Sequence, residues 1–449
     1  MTGITSSFRM VGLLAVLGLA ACAANTLNPS ATIAPTAGPV ITPAQTARTT
    51  RLDAVLAELV AENSVPGISL LLYENGVETY FNAVGDVDRE NAKPMTRKAV
   101  ARYYSMTKPI IGVAMMKLYE EGKFAFDDPI EKYLPEYANL KVYAGKDDDE
   151  KVLLDDLQRP VTILDLMRHT AGFAYGLLGQ TPVDALYRSA GLLRPDKTNA
   201  EFSAKLASFP LLHQPGEKWV YSVATDVQGR LIEVLSGQSL GEYLAETIFM
   251  PLDMPHTAFS VKPEHLELFS PAYRLTRNGV VRMTDNVFFQ VDAPFLGGSA
   301  FEGGGGGLVS TVDDYTKFTQ MLVNGGAMGD VRIISEASMA LMTQNHLGDI
   351  PSDRFGPDTG FGFNFAVKIG QAPDTGLRLP IGSYHWGGAG GTFFWVDPQN
   401  NLTLVYQIQV LGSGAAKVRQ RIANAVYGGA KTDAMTATRS DSDKNNSTP

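Results

Sequence analysis

Tyr103-Tyr104-Ser105-Met106-Thr107-Lys108-Pro109 runs into an almost wholly apolar segment from Ile110 to Tyr119. Serine and lysine three residues apart on a helix sit one turn apart on the same face. Proline is tolerated only in the first turn, so Pro109 puts the start of the helix near Ser105. A hydroxyl then stands beside an ammonium at the positive end of a helix dipole. That is the help a serine needs, being a poor nucleophile until a neighbour takes its proton. The spacing alone is weak, expected by chance roughly once or twice in a chain of this length. The helix itself is better marked. Ile110, Ile111, Val113, Ala114, Met115, Met116 and Leu118 surround nearly its whole circumference, so it is buried on all sides, and Gly122 stops it as a C-cap.

Outward from this helix, the 449 residues are 45% hydrophobic and 19% charged, an ordinary globular composition with room for a large core. A net charge of -9 argues against nucleic acid as a partner. One cysteine and six scattered histidines give no zinc spacing, and no metal or cofactor is expected.

Residues 1–21 read as a signal peptide, with Arg9 before an apolar run from Val11 to Ala21 that is too short to span a bilayer. Leu19-Ala20-Ala21-Cys22 resembles the bacterial lipobox, which implies cleavage before Cys22 and a lipid on its thiol. The alternative is a simple secretory signal with Cys22 incidental. The lipid would be the chain's membrane partner, and the absence of Asp after Cys22 leans, by resemblance to sorting patterns, toward the periplasmic face of an outer membrane. Residues 22–50, rich in Pro, Thr and Ala, read as a flexible tether, and 431–449 as a disordered tail.

The folded part, 51–430, opens with a helical period from Arg51 to Glu62. Ile68–Tyr73 and Val77–Val84 then flank Asn75-Gly76 as a hairpin. A mainly helical stretch, about 126–304, follows, in which the acidic cluster Asp147 to Glu150 reads as a solvated loop. Gly303 to Gly307 is no phosphate loop, since no Gly-Lys-Ser/Thr follows; close backbone packing or a mobile loop accounts for it. His385–Gly391, Thr392–Val396 and Leu402–Val410 read as strands and Gly414–Tyr427 as a closing helix. Strands at both ends with helices between predict an α/β (α+β) fold, one antiparallel sheet built from about 51–125 and 305–430 and flanked by helices.

Ser105-Met106-Thr107-Lys108, Tyr221-Ser222-Val223 and Trp386-Gly387-Gly388 fall in the order of the three motifs of the serine β-lactamase-like and penicillin-binding-protein-like hydrolases. Leu166-Met167-Arg168-His169-Thr170-Ala171-Gly172, Gln214-Pro215-Gly216-Glu217 and Gly306-Gly307-Leu308-Val309-Ser310-Thr311 support the resemblance, which covers about Arg51 to Tyr427. Trp386 stands where a β-lactamase carries the lysine of Lys-Thr-Gly, and Val223 replaces an asparagine. Both departures resemble the β-lactamase-like carboxylesterases (family VIII type), and an apolar Trp wall suits an uncharged acyl or alcohol group.

The resemblance implies a β-lactamase/transpeptidase-like fold and a small-molecule ester as substrate. Ser105 would be the acylated nucleophile, with Lys108 and Tyr221 as acid and base; either could take the first proton. Buried beside Tyr221, Lys108 is expected to have a lowered pKa. The backbone N–H groups of Ser105 and Ala389 would hold the oxyanion, and Trp386, Gly387, Gly388, Val223 and His385 would line the substrate. His385 could instead serve as a triad base, and Asp226 either supports the site or only caps a helix. Gly237-Gln238-Ser239-Leu240-Gly241 offers a rival nucleophile, but Ser239 and Glu242 read as a capping box. A β-lactamase or D-amino peptidase, and a non-catalytic envelope lipoprotein, are the other classes weighed. Nothing in the sequence sets the oligomeric state.

Overall fold

The computed structural model describes residues 42–177, 179–284, 292–297, 299–371, 376–412 and 414–428. The expected signal peptide, Cys22, the tether as far as residue 41 and the 431–449 tail lie outside them. The tether is shorter than expected, because helix α1 (Pro43–Ala61) takes in residues 43–50. That stretch has no apolar period to reveal it. Polar contacts fix it instead: the Arg48 guanidinium pairs with Glu74, one bond measuring 2.6 Å, and Gln45 reaches the same carboxylate at 3.4 Å.

Strands β1 (Gly67–Glu74) and β2 (Val77–Asp88) form the expected hairpin. Asn75 and Gly76 both have positive φ, 52° and 75°, the pair that a two-residue turn with strand-like twist needs. After β3 (Lys93–Pro94) comes α2 (Thr107–Glu120), then α3 (Ile163–Met167) and α4 (Ala224–Ser236). Helix α5 (Val312–Val323) leads to β4 (Thr359–Phe361), β5 (Ala366–Lys368), β6 (Tyr384–Gly387), β7 (Phe393–Asp397), β8 (Leu402–Gln407) and α6 (Ala415–Tyr427).

The eight strands make one antiparallel sheet in the order β4-β5-β6-β7-β8-β1-β2-β3. The last long strand pairs with the first, from Ser69 opposite Gln407 to Glu74 opposite Leu402. Both ends of the chain thus complete the sheet, as expected. Alternation along the strands serves two cores. Leu70, Leu72, Phe393, Trp395, Leu404 and Tyr406 face α1 and α6. Leu71, Phe394, Val396 and Val405 face the cluster that holds α2. With both faces covered, β7 and β8 are buried throughout, and each large apolar side chain there contributes about 1.5–3 kcal/mol.

Helix α2 is buried from Thr107 through Met116. It packs against α4, and the two share one hydrophobic cluster with α3 and the helices Pro182–Ala190 and Asn199–Leu206. Asp147 to Glu150 is a mostly exposed loop, as expected, and it turns a hairpin (Lys141–Lys146 with Val152–Asp156) whose strands lack the apolar alternation that would have shown them. One reading needs correction: the strand expected over His385–Gly391 ends at Gly387. The Gly-Gly-Ala-Gly-Gly run from Gly387 turns instead, closed by Gly391 N–H to Gly388 C=O (3.0 Å).

Candidate active site

Ser105 lies in a 3₁₀ turn, Tyr104–Met106, that feeds directly into α2. Tyr104 has φ 44°, a left-handed conformation that a bulky residue adopts only when its surroundings hold it. They do so here. The Tyr103 N–H donates to Leu308 C=O (2.9 Å), and Gly306 packs against the Tyr104 backbone, where a Cβ would stand 3.4 Å from it.

One turn on, Lys108 is fully buried. Its Nζ donates to Gly305 C=O at 2.6 Å and lies 3.5 Å from both Ser105 Oγ and Tyr175 Oη. It also stands over the Tyr221 ring, 4.6 Å from the centroid, and the Tyr175 and Tyr221 rings are 5.2 Å apart. Tyr221, distant in sequence, thus meets Ser105 at the Lys108 ammonium.

The glycine run explains how an ammonium can be buried there. A Cβ on Gly304 would come within 2.4 Å of Thr225 C=O, so only glycine lets this loop lie against α4. The approach aims the Gly305 carbonyl at Lys108 while its N–H donates to Asp226 Oδ1 (2.8 Å). Asp226 is therefore no mere helix-end charge. It is buried, and burial raises its pKa against the opposing pull of Lys108 and the Gly305 N–H. The expectation of a lowered Lys108 pKa fails. Burial, the largest influence, pulls it down, but Tyr175, Tyr221 and Asp226 together push it above the ordinary lysine value.

Tyr221 is held by its neighbours. His169, with φ 59° and a buried ring, accepts the Val220 N–H on its carbonyl at 3.0 Å. Its ring nitrogens bond Ser222 Oγ (3.1 Å) and Thr225 Oγ1 (3.3 Å). Burial, then Lys108 and Arg354, hold His169 well below the usual histidine range, so the ring is neutral and has one donor and one acceptor nitrogen for its two partners. Val223 differs from expectation. It is wholly buried in the core and shows no surface to a substrate.

Trp386, almost fully buried, meets Tyr221 edge-on at 5.6 Å, and the Arg354 guanidinium covers both rings, 4.8 Å from Tyr221 and 5.4 Å from Trp386. The turn after β6 leans on the Ser105 turn. A Cβ on Gly388 would lie 2.4 Å from Tyr103 C=O, and one on Gly390 would lie 3.2 Å from the Tyr104 ring. Ala389, at the exposed tip, has an N–H with no acceptor among the described residues.

His385 points the other way, packing at 5.4 Å on Phe393, which belongs to the opposite-face core. Burial and the nearby cations Arg419, Lys368 and Arg354 bring it to about 3, and it does not join Ser105 as a triad base. Ser239 is an N-cap: its Oγ accepts the Glu242 N–H (3.3 Å) and donates to the Glu242 carboxylate (2.9 Å). A helix, α4, precedes it where a hydrolase elbow needs a strand.

Tyr175, Gly305, His169 and Arg354 were missed as members of this site. Tyr175 follows the Leu166 to Gly172 stretch by three residues and carries no spacing signal of its own; Arg354 sits in a loop without a motif. As a whole, the arrangement gathers a hydroxyl and two phenol rings around a buried cation, with the Ala389 N–H in the turn that leans on the Ser105 turn. Such a set can deprotonate a serine and hold a developing oxyanion.

A family model described as Beta-lactamase matches residues 52–427. An uncharacterised protein of Mycobacterium tuberculosis is 32% identical over 369 residues, covering 80% of this chain and 89% of its own. Esterase EstB of Burkholderia gladioli is 29% identical over 372 residues, covering 79% and 88%. Among solved structures, EstCE1, described as a hydrolase with promiscuous acyltransferase activity, superposes with a TM-score of 0.71 at 27% identity, over 86% of this chain and 100% of that one.

Proposed function

The chain belongs to the beta-lactamase family, and within it we propose a serine carboxylesterase working through an acyl-enzyme on Ser105. The observation that carries this reading is the meeting of Ser105 Oγ, the Tyr221 ring and the Tyr175 hydroxyl around the buried ammonium of Lys108. The relative named Esterase EstB supports the choice of ester over amide, and EstCE1, a hydrolase with acyltransferase activity, supports acyl transfer. Trp386 also supports the ester, since it stands where the resemblance places the lysine of a β-lactamase's third motif.

In this reading Ser105 Oγ attacks the ester carbonyl and gives its proton to Tyr221. The tetrahedral oxyanion is held by the Ser105 and Ala389 N–H groups, and Tyr221 returns the proton to the leaving alcohol. Water then repeats the sequence on the acyl-enzyme, releasing the acid and restoring Ser105. Lys108, its pKa raised, acts as the fixed cation that favours the alkoxide and phenolate forms. Incubation with 4-nitrophenyl butyrate and with nitrocefin tests the reaction class. Ester turnover that Ser105→Ala abolishes, with nitrocefin slow or inert, supports the reading; nitrocefin as the better substrate rejects it in favour of a β-lactamase.

Cys22 would anchor the mature chain, by a lipid, to the periplasmic face of the cell envelope. Metabolic labelling with a palmitate analogue checks this: label that Cys22→Ala removes supports the anchor, and a cleaved but unlabelled chain points to plain secretion.

A further inference from the structure

A cavity of about 400 Å³ opens at the edge of β6, lined by Arg354, Phe355, Trp386, Gly387, Phe393 and Arg419, with Lys417 as a third cation. β6 pairs with β5 only at Tyr384 and His385, so its edge from Trp386 onward is open toward this space. No carboxylate is among the lining residues, and Arg354, Lys417 and Arg419 make no ion pair among the described residues. Three cations thus share one cavity without a counter-ion.

Arg354 and Lys417 are exposed, whereas Arg419 is partly withdrawn from solvent. Arg419 is half-buried, lies over the Phe393 ring at 4.6 Å, and stands where a side chain on Gly387 would be, 2.6 Å from its Cβ position. Its Nε, Trp386 Nε1 and His385 Nδ1 are buried without a hydrogen-bond partner, and all three residues line the cavity. Ala416 and Lys417, in the first turn of the 13-residue α6, add the positive end of a helix dipole. Apolar walls from Phe355, Leu377 and Phe393 complete it.

Two unsatisfied N–H donors, Arg419 Nε and Trp386 Nε1, and two guanidinium groups lining one cavity with an apolar frame fit a carboxylate carried on a hydrocarbon or aromatic body. The cavity shares Trp386 and Arg354 with the site around Tyr221, so it adjoins that site. Resting on the esterase reading, we propose that the physiological ester carries a carboxylate, bound between Arg354 and Arg419. This reverses the uncharged substrate that Trp386 suggests in sequence: the cation absent from the strand is supplied by a loop and by α6.

Two matched pairs test it at low ionic strength. 4-Nitrophenyl hydrogen adipate is compared with its methyl ester for a charge on the acyl side. 4-Carboxyphenyl butyrate is compared with its methyl ester for the alcohol side. In at least one pair kcat/KM should favour the carboxylate by about tenfold or more, the worth of one good charged hydrogen bond. Arg354→Gln and Arg419→Gln should each bring that ratio toward one. Because the ratio is taken within each variant, loss of folded protein leaves it unmoved. A ratio of one or less in both pairs, or a preference that survives both substitutions, overturns the carboxylate site and leaves the esterase standing. Absence of Ser105-dependent turnover of the neutral esters rejects the esterase reading itself.

Discussion

Lys108 reaches Gly305 C=O, Ser105 Oγ and Tyr175 Oη from one buried position, and this contact set decides what the lysine can do. In the proposed reaction its raised pKa makes it the fixed cation, and a phenol carries the proton. Two are present. Removing the true base costs about 10²–10⁴-fold in rate, so Tyr221→Phe should lower kcat by that much on 4-nitrophenyl butyrate and Tyr175→Phe by far less; the reverse order would transfer the role to Tyr175. The pH profile follows from the sign. One member of the lysine–tyrosine group must lose a proton before Ser105 can, and Lys108 holds its own above the usual value. Burial, opposed chiefly by Lys108, pushes Tyr175 up to about 12. The kcat/KM profile should therefore rise with pH on the alkaline side of neutrality. A profile that peaks in acid would show that no such deprotonation limits the reaction.

At the scale of elements, α2 and the β1–β2 hairpin were legible because their signals are local: an all-round apolar helix with a proline in its first turn, and Asn-Gly between two strands. The short edge strands β4 and β5 were not, since Thr359–Phe361 and Ala366–Lys368 are too brief for a period to emerge. The glycine run was half legible. Its composition suggested close packing, but only the fold shows that α4 is what it packs against and that Gly305 is the lysine's anchor. Gly304→Ala tests this: its Cβ would fall 2.4 Å from Thr225 C=O, so the loop must move away from α4. We expect about 1–3 kcal/mol of lost stability in thermal denaturation. A loss of kcat beyond the loss of folded enzyme should accompany it, because the Gly305 carbonyl shifts with the loop. Unchanged kcat in the folded fraction would mean that Lys108 does not need this anchor.

Over the whole molecule, the strand pattern at the two chain ends was enough to foresee one antiparallel sheet completed by both, because β8 and β1 carry long buried runs. The three motifs located Ser105, Lys108, Tyr221 and Trp386, but charge could not be read the same way. Arg354 and Arg419 come from segments with no motif, and only the tertiary structure gathers them.

Burial also sets the acid stability. His169, His346 and His385 have pKa values depressed by desolvation, His385 to about 3, against about 6.5 in the unfolded chain. Below about pH 6.5 the unfolded state takes up protons that the native state refuses, so stability present above that pH is lost as pH falls toward the native values. Carboxylates with depressed values, among them Asp165, act in the same direction at lower pH. Tm should therefore fall between about pH 7 and pH 5; a flat or rising Tm would mean these rings are not held neutral.

The central claim is that Ser105 carries the acyl group. Brief reaction with 4-nitrophenyl butyrate, an acid quench and peptide mass spectrometry read it directly. The account predicts one butyryl group on the peptide that contains Ser105, absent from Ser105→Ala. A butyryl group on Ser239 instead, or full turnover by Ser105→Ala with no label at residue 105, would contradict it.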